Sequence, residues 1–201
     1  MIAIVDYGVG NLFSLKSSLN YLGLDNEITA DPQKLINSDK IILPGVGAFG
    51  DAIQKLEATS LIPLIKEEAQ KKPLLGICLG MQLLLDKSYE FGNFNGLGLI
   101  PGEVVGFEIP KDYKVPHMGW NALDVTQKEC PLLKYTKDKE YVYYVHSFYA
   151  KTESKYIAAT SNYCIDVTGI VFNGNVYGTQ FHPEKSGEVG LNILKAFGEI
   201  K

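Results

Sequence analysis

Apolar positions fall into short runs and helical rows that alternate along the first half of the chain. Ile2-Ala3-Ile4-Val5 is an apolar run stopped by Asp6-Tyr7-Gly8, the pattern of a buried strand ending in a turn. Leu12, Leu15, Leu19 and Leu22 recur at helical spacing, and Gly23 suits the position just past a helix end. Glu27–Thr29 and Lys40–Leu43 read as further strands, the second stopped by Pro44-Gly45. Asp51–Lys72 reads as one or two helices with a break near Thr59–Pro63. Leu74–Ile77 is another buried strand, and Leu79–Leu85 a helix directly after it. This alternation predicts an α/β fold with a mostly parallel twisted sheet flanked by helices. Ligands in such sheets sit outside the carboxyl ends of the strands. The loops Tyr7–Asn11, Pro44–Gly50 and Gly76–Gly80 all follow strands, so all three should crowd one edge.

The second half is richer in β pattern. Tyr141–Tyr149, Tyr156–Thr160, Gly169–Phe172 and Val176–Phe181 read as strands, with Asn173-Gly174 a hairpin signal between the last two. A final helix is expected from about Gly187 to Phe197. No linker, repeat or low-complexity segment interrupts the chain, which predicts a single domain over 1–201.

Composition narrows the function. Hydrophobic residues make up 46% and charged residues 21%, as in a soluble globular protein. A net charge of −4 gives no general reason to bind nucleic acid or an anionic membrane. All positive side-chain charge at neutral pH is lysine and arginine is absent, so this chain has no bidentate guanidinium clamp for phosphate or carboxylate. Cys78, Cys130 and Cys164 are an odd, widely spaced set, neither a disulfide framework nor a zinc site. The N-terminal run lacks the flank and length of a signal peptide, and no apolar run approaches the ~20 residues of a membrane span. A cytoplasmic protein is expected, with no cofactor. His117, His146 and His182 lack ligand spacing, which argues against a metal hydrolase.

Gly76-Ile77-Cys78-Leu79-Gly80 sets a cysteine between two glycines where a strand gives way to a helix. It is the cysteine version of the nucleophile elbow. Side chains at the glycine positions would collide with neighbouring elements, and the turn lifts the sulfur to a helix N-terminus that favours thiolate. The bland alternative is a buried structural cysteine, the reading given to Cys130 and Cys164. A thiol attacking an amide needs a base and then an acid, roles suited to histidine. Phe181-His182-Pro183-Glu184 ends an apolar strand with a histidine, and Glu184 can hold the ring's other N–H.

These residues resemble the class I, triad-type glutamine amidotransferases, with their flavodoxin-like sheet. The likeness runs from Asp6-Tyr7-Gly8-Val9-Gly10-Asn11 to Ser186 and includes Pro44-Gly45-Val46-Gly47, the elbow with Met81-Gln82, and Phe-His-Pro-Glu-Lys at 181–185. Pro-Gly-Val-Gly-Ala-Phe at 44–49, Pro-His-Met-Gly-Trp-Asn at 116–121 and His-Ser-Phe-Tyr at 146–149 make it particularly similar to the glutaminase subunits of imidazole glycerol phosphate synthases. The resemblance implies Cys78 as nucleophile, His182 as acid/base and Glu184 as orienter. It implies oxyanion donors at Leu79 and in the Val46-Gly47 loop, a loop that local sequence alone would read as an ordinary turn. L-glutamine would be held by Gly47, Gln82, Ser147 and Phe148. Glu90 would meet its ammonium group or, on the bland reading, be a solvated carboxylate. The implied partner is a (β/α)₈-barrel cyclase of histidine biosynthesis, joined as a heterodimer that receives the ammonia. Met118 and Trp120 would line the docking face, or Trp120 would be a core residue of an ordinary strand. Lys185 would reach a partner carboxylate or simply be solvated. A glutaminase serving an anthranilate or aminodeoxychorismate synthase, and a non-catalytic regulatory module of the same fold, remain the alternatives.

Overall fold

The computed structural model describes residues 1–201. The first half alternates as expected: β1 (Ile2–Val5), α1 (Leu12–Tyr21), β2 (Asn26–Thr29), α2 (Pro32–Asn37), β3 (Lys40–Leu43), α3 (Phe49–Ala58), α4 (Ile62–Glu68), β4 (Leu74–Ile77) and α5 (Leu79–Leu83). The short α2 carries no repeated apolar row and is not evident from the pattern; it starts because Asp31 caps Gln33 N–H and Pro32 presets the first turn. The second half adds β5 (Lys87–Ser88), β6 (Phe94–Asn95), β7 (Glu103–Gly106), β8 (His117–Ala122), β9 (Asp124–Val125), β10 (Tyr141–His146), β11 (Phe148–Lys151), β12 (Ile157–Tyr163), β13 (Ile165–Asn173), β14 (Val176–Thr179) and α6 (Gly187–Glu199).

The main sheet has eight strands in the order β2-β1-β3-β4-β14-β13-β12-β9. From β2 to β14 neighbours run parallel; from β14 to β9 they run antiparallel. β1, β4 and β14 are buried along their whole length, as strands covered on both faces must be. Alternate residues serve the two faces. Ala3, Val5 and Leu74 join one core with Phe49, Leu56 and Ile65 of α3 and α4. Ile2, Ile4, Leu75 and Ile77 join the other with Leu15 and Leu19 of α1 and Ile193 and Phe197 of α6. Each fully buried leucine of α1 contributes roughly 1.5–3 kcal/mol by burial. Gly23 ends that helix at φ +69.

One expected strand divides. Tyr141–Tyr149 is not a single strand: it breaks at Ser147, β10 pairing with β8 in a two-stranded sheet and β11 with β7 in a four-stranded one. No helix is long and apolar enough to cross a membrane.

Candidate active site

The elbow is built by exclusion. Cys78 sits between β4 and α5 at φ 55, ψ −110, a conformation that non-glycine residues rarely hold. A Cβ on Gly80 would lie 1.9 Å from the Leu43 carbonyl oxygen, and one on Gly76 2.7 Å from the Met81 backbone. The chain can make this bend beside β3 only with glycine at both places. Cys78 N–H donates to the Thr179 carbonyl at 2.7 Å, so the bend is also fastened to the adjacent strand. The N–H of Leu79, in the helix's first turn, has no partner within the chain.

That adjacent strand delivers the base. β14 runs parallel to β4 with Thr179 opposite Ile77, so both strands release their next residues at the same edge. His182 N–H donates to the Tyr143 carbonyl at 3.1 Å. Ser186 Oγ donates to the His182 carbonyl at 2.7 Å and accepts from Tyr143 N–H at 2.9 Å. His182 Nδ1 lies 2.9 Å from Glu184 Oε1, with both side chains 3% exposed. The ring shares a cleft wall with Cys78, close enough for the thiol to act on its titration. Burial alone would lower the His182 pKa, but its interactions with Cys78 and Glu184 outweigh that and raise it to about 10. Glu184 Oε2 is buried without a partner.

Cys78 and His182 open into a cleft of about 190 Å³. That lies below the ~300–1,000 Å³ typical of drug-sized ligands and suits a small metabolite. Its walls include Val46, Gly47, Leu79, Gln82, Glu90, Ser147, Phe148 and Lys185, all given roles from the sequence, together with His146, which was given none. A larger cleft of about 600 Å³, between the chain termini and Lys71–Pro73, lies at the opposite edge of the sheet and is lined by neither cysteine nor histidine. The Tyr7–Asn11 loop reaches the same edge as the elbow but not the cleft wall; Tyr7 OH donates to the Pro44 carbonyl at 2.6 Å.

Several expected roles change in detail. Gln82 is 4% exposed, and its amide nitrogen is committed to the Phe148 carbonyl at 2.9 Å and Gln180 Oε1 at 3.1 Å. Only its oxygen stays free for a ligand. Glu90 is not a solvated carboxylate: Oε2 accepts from the Phe49 N–H at 2.7 Å, capping α3 across the cleft wall, and burial raises its pKa. No hydrogen bond within the chain uses the Ser147 hydroxyl or amide. Met118 and Trp120 are 60% and 55% exposed, so Trp120 is not a core residue. Trp120 lies edge-on to Tyr143, with ring centroids 6.1 Å apart, beside the segment that holds His182. Lys185 is exposed at the rim of the cleft. Cys130 is buried, whereas Cys164 is exposed in a tight turn at φ +63 and is not a packing residue. The sequence reading missed Gln180, wholly buried, whose Nε2 donates to Cys78 Sγ at 3.8 Å. No group of three or more metal-ligating side chains is present.

Comparison with known proteins identifies the family. Residues 3–199 match the family model described as glutamine amidotransferase class-I. The chain is 50% identical over 201 residues to imidazole glycerol phosphate synthase subunit HisH of Listeria monocytogenes serotype 4a (strain HCC23), covering 100% of this chain and 96% of that one. It is also 50% identical to the subunit of the same name from Caldanaerobacter subterraneus subsp. tengcongensis (strain DSM 15242 / JCM 11007 / NBRC 100824 / MB4), over 202 residues, covering 100% and 98%. Among solved structures, PurLQS from Thermotoga maritima superposes with a TM-score of 0.75 at 22% identity, covering 98% of this chain and 96% of that one, a likeness of fold.

Proposed function

The chain belongs to the class I glutamine amidotransferases, and from that premise we propose that it hydrolyses L-glutamine as the glutaminase subunit of an imidazole glycerol phosphate synthase in histidine biosynthesis. The whole chain, 1–201, acts as one such domain in the cytoplasm. The observation that carries the reading is Cys78 and His182 lining one small cleft, with the Glu184 carboxylate bonded to Nδ1 of the ring. Cys78 Sγ bonds to the amide carbon, and the thiol's proton passes by way of His182 to the leaving nitrogen. Ammonia departs and a thioester remains. Water, deprotonated by the same ring, then cleaves the thioester to glutamate and frees the thiol. The ring's preference for its charged form suits the step that protonates the leaving group.

The oxyanion lies at the unpartnered Leu79 N–H, with the second donor drawn from Val46-Gly47, where Gly47 is at φ +94. The free Ser147 groups and the Phe148 segment hold the α-carboxylate through neutral donors, as a chain without arginine requires, and Gln82 and Glu90 face the α-ammonium. Met118, Trp120 and Lys185 dock a (β/α)₈-barrel cyclase that takes the ammonia; exposed methionine and tryptophan on one strand face support this. Activity is low until the cyclase completes the oxyanion donors. Glutamate release is the test, measured for wild type and Cys78→Ala with and without the cyclase and its nucleotide substrate. Wild type should turn over in the complex and Cys78→Ala should not. Equal turnover by the two would overturn the assignment.

A further inference from the structure

Two of the three histidines stand outside the triad, and both are buried. His117 and His146 are cross-strand partners in the β8–β10 pair, 3% and 6% exposed. Their hydrogen bonds admit one consistent proton assignment. The Phe148 carbonyl can only accept, so His146 Nδ1, 2.8 Å away, carries a proton and donates to it. A neutral His146 then offers Nε2 as acceptor, and His117 Nδ1, 2.9 Å away, donates to that. His117 Nε2 accepts in turn from the Asn121 amide nitrogen at 3.3 Å. The Asn121 amide cannot be reversed, because its nitrogen also donates to the Asn162 carbonyl and its oxygen accepts from Ala122 N–H. A second proton on either ring would set N–H against N–H somewhere along this line.

The surroundings keep both rings neutral. His117 is stacked between Tyr144 and Tyr163, with centroids 4.7 and 4.1 Å away, and Phe107 lies 5.3 Å from His146. Burial lowers the pKa of His117 to about 4, and burial, reinforced by the neighbouring histidines against its bond to Phe148, lowers that of His146 to about 3.

We propose that His117 and His146 are positioning residues for the glutamine pocket, a neutral pair with both protons on Nδ1 that holds the Ser147–Phe148 wall in place from the inner face of β8. The inference rests on the glutaminase reading of that pocket. The line continues beyond Phe148: its carbonyl also takes the Gln82 amide, Gln82 holds Gln180, and Gln180 donates to the Cys78 sulfur. One strand thus presents Met118 and Trp120 outward and is tied inward to the reaction centre. A pair that served folding alone would affect stability and leave substrate affinity untouched.

The chain has only three histidines, so ¹⁵N spectra of its imidazole rings are simple to assign. At neutral pH His117 and His146 should each show a protonated Nδ1 and a bare Nε2. A proton on Nε2 of either ring overturns the proposal, even if no variant folds. In the glutaminase–cyclase complex, His146→Phe should raise KM for glutamine about tenfold while kcat falls less, as expected for losing a contact that fixes the bound substrate. His146→Asn, whose amide nitrogen takes the place of Nδ1, should recover most of that loss. An unchanged KM in His146→Phe, or no recovery in His146→Asn, overturns the positioning role. A wild-type complex that releases no glutamate overturns the glutaminase reading instead.

Discussion

Cys78 and His182 leave neighbouring parallel strands at the same edge, yet opposite means hold them there. The cysteine is placed by steric exclusion: glycine on both sides, a neighbouring carbonyl oxygen where a Cβ would stand, and a backbone with nowhere else to go. The histidine is placed by polar partners: the Tyr143 carbonyl on its N–H, Ser186 on its carbonyl, and Glu184 on its ring. The difference teaches that damage at the two residues should have different signatures. A fault at the elbow is a fault in packing and shows first in stability. A fault around the imidazole is electrostatic and shows first in rate.

The strongest way to break this contrast is Gly80→Ala. Its Cβ has no room against the Leu43 backbone, so we expect a loss of about 3 kcal/mol or more, read from the urea midpoint, with little soluble native protein. A variant as stable as wild type would remove the steric account. Next is Glu184→Gln, which keeps the shape but removes the charge beside the ring. Glutamate release in the cyclase complex should fall roughly 10²–10⁴-fold while the protein still folds. A large drop in melting temperature with kcat retained would reverse the comparison. A further test is a slope with pH. An unfolded chain holds His182 near its ordinary value of about 6.5, whereas the fold raises it to about 10. The folded state therefore binds the proton more tightly. The resulting stability is complete below about pH 6.5, declines above it and is gone beyond about 10. The stability difference between wild type and His182→Gln should shrink over that interval, and a growing difference would contradict the polar account.

The sequence shows the elbow and the base clearly because each lies where a periodic apolar run meets glycine or proline. Cys78, His182 and Glu184 are legible for that reason, as are β1 and β4, buried along their whole length, and β3 beyond Lys40. The stretch from β5 to β9 is not. β5, β6 and β9 are only two residues long, and β8 has no large apolar residue on its inner face, where His117, Gly119 and Asn121 point. Nothing in the alternation of Tyr141–Tyr149 marks the break at Ser147, because the residues on either side are equally strand-forming. Gln180 is hidden for the opposite reason. It is a polar residue inside an apolar run, and only the sulfur and the Gln82 amide facing it explain its burial.

The break at Ser147 gives the two sides of the cleft different tenacity. The nucleophile and base hang from an eight-stranded ladder, while the wall facing them is stitched between a two-stranded ribbon and a four-stranded patch. Short ladders open to solvent at lower free energy than long ones. Deuterium should therefore enter the amides around Ser147 before those of β4 and β14, and equal protection of the two would refute this. On that expectation the pocket wall would yield sooner than the reaction centre it faces.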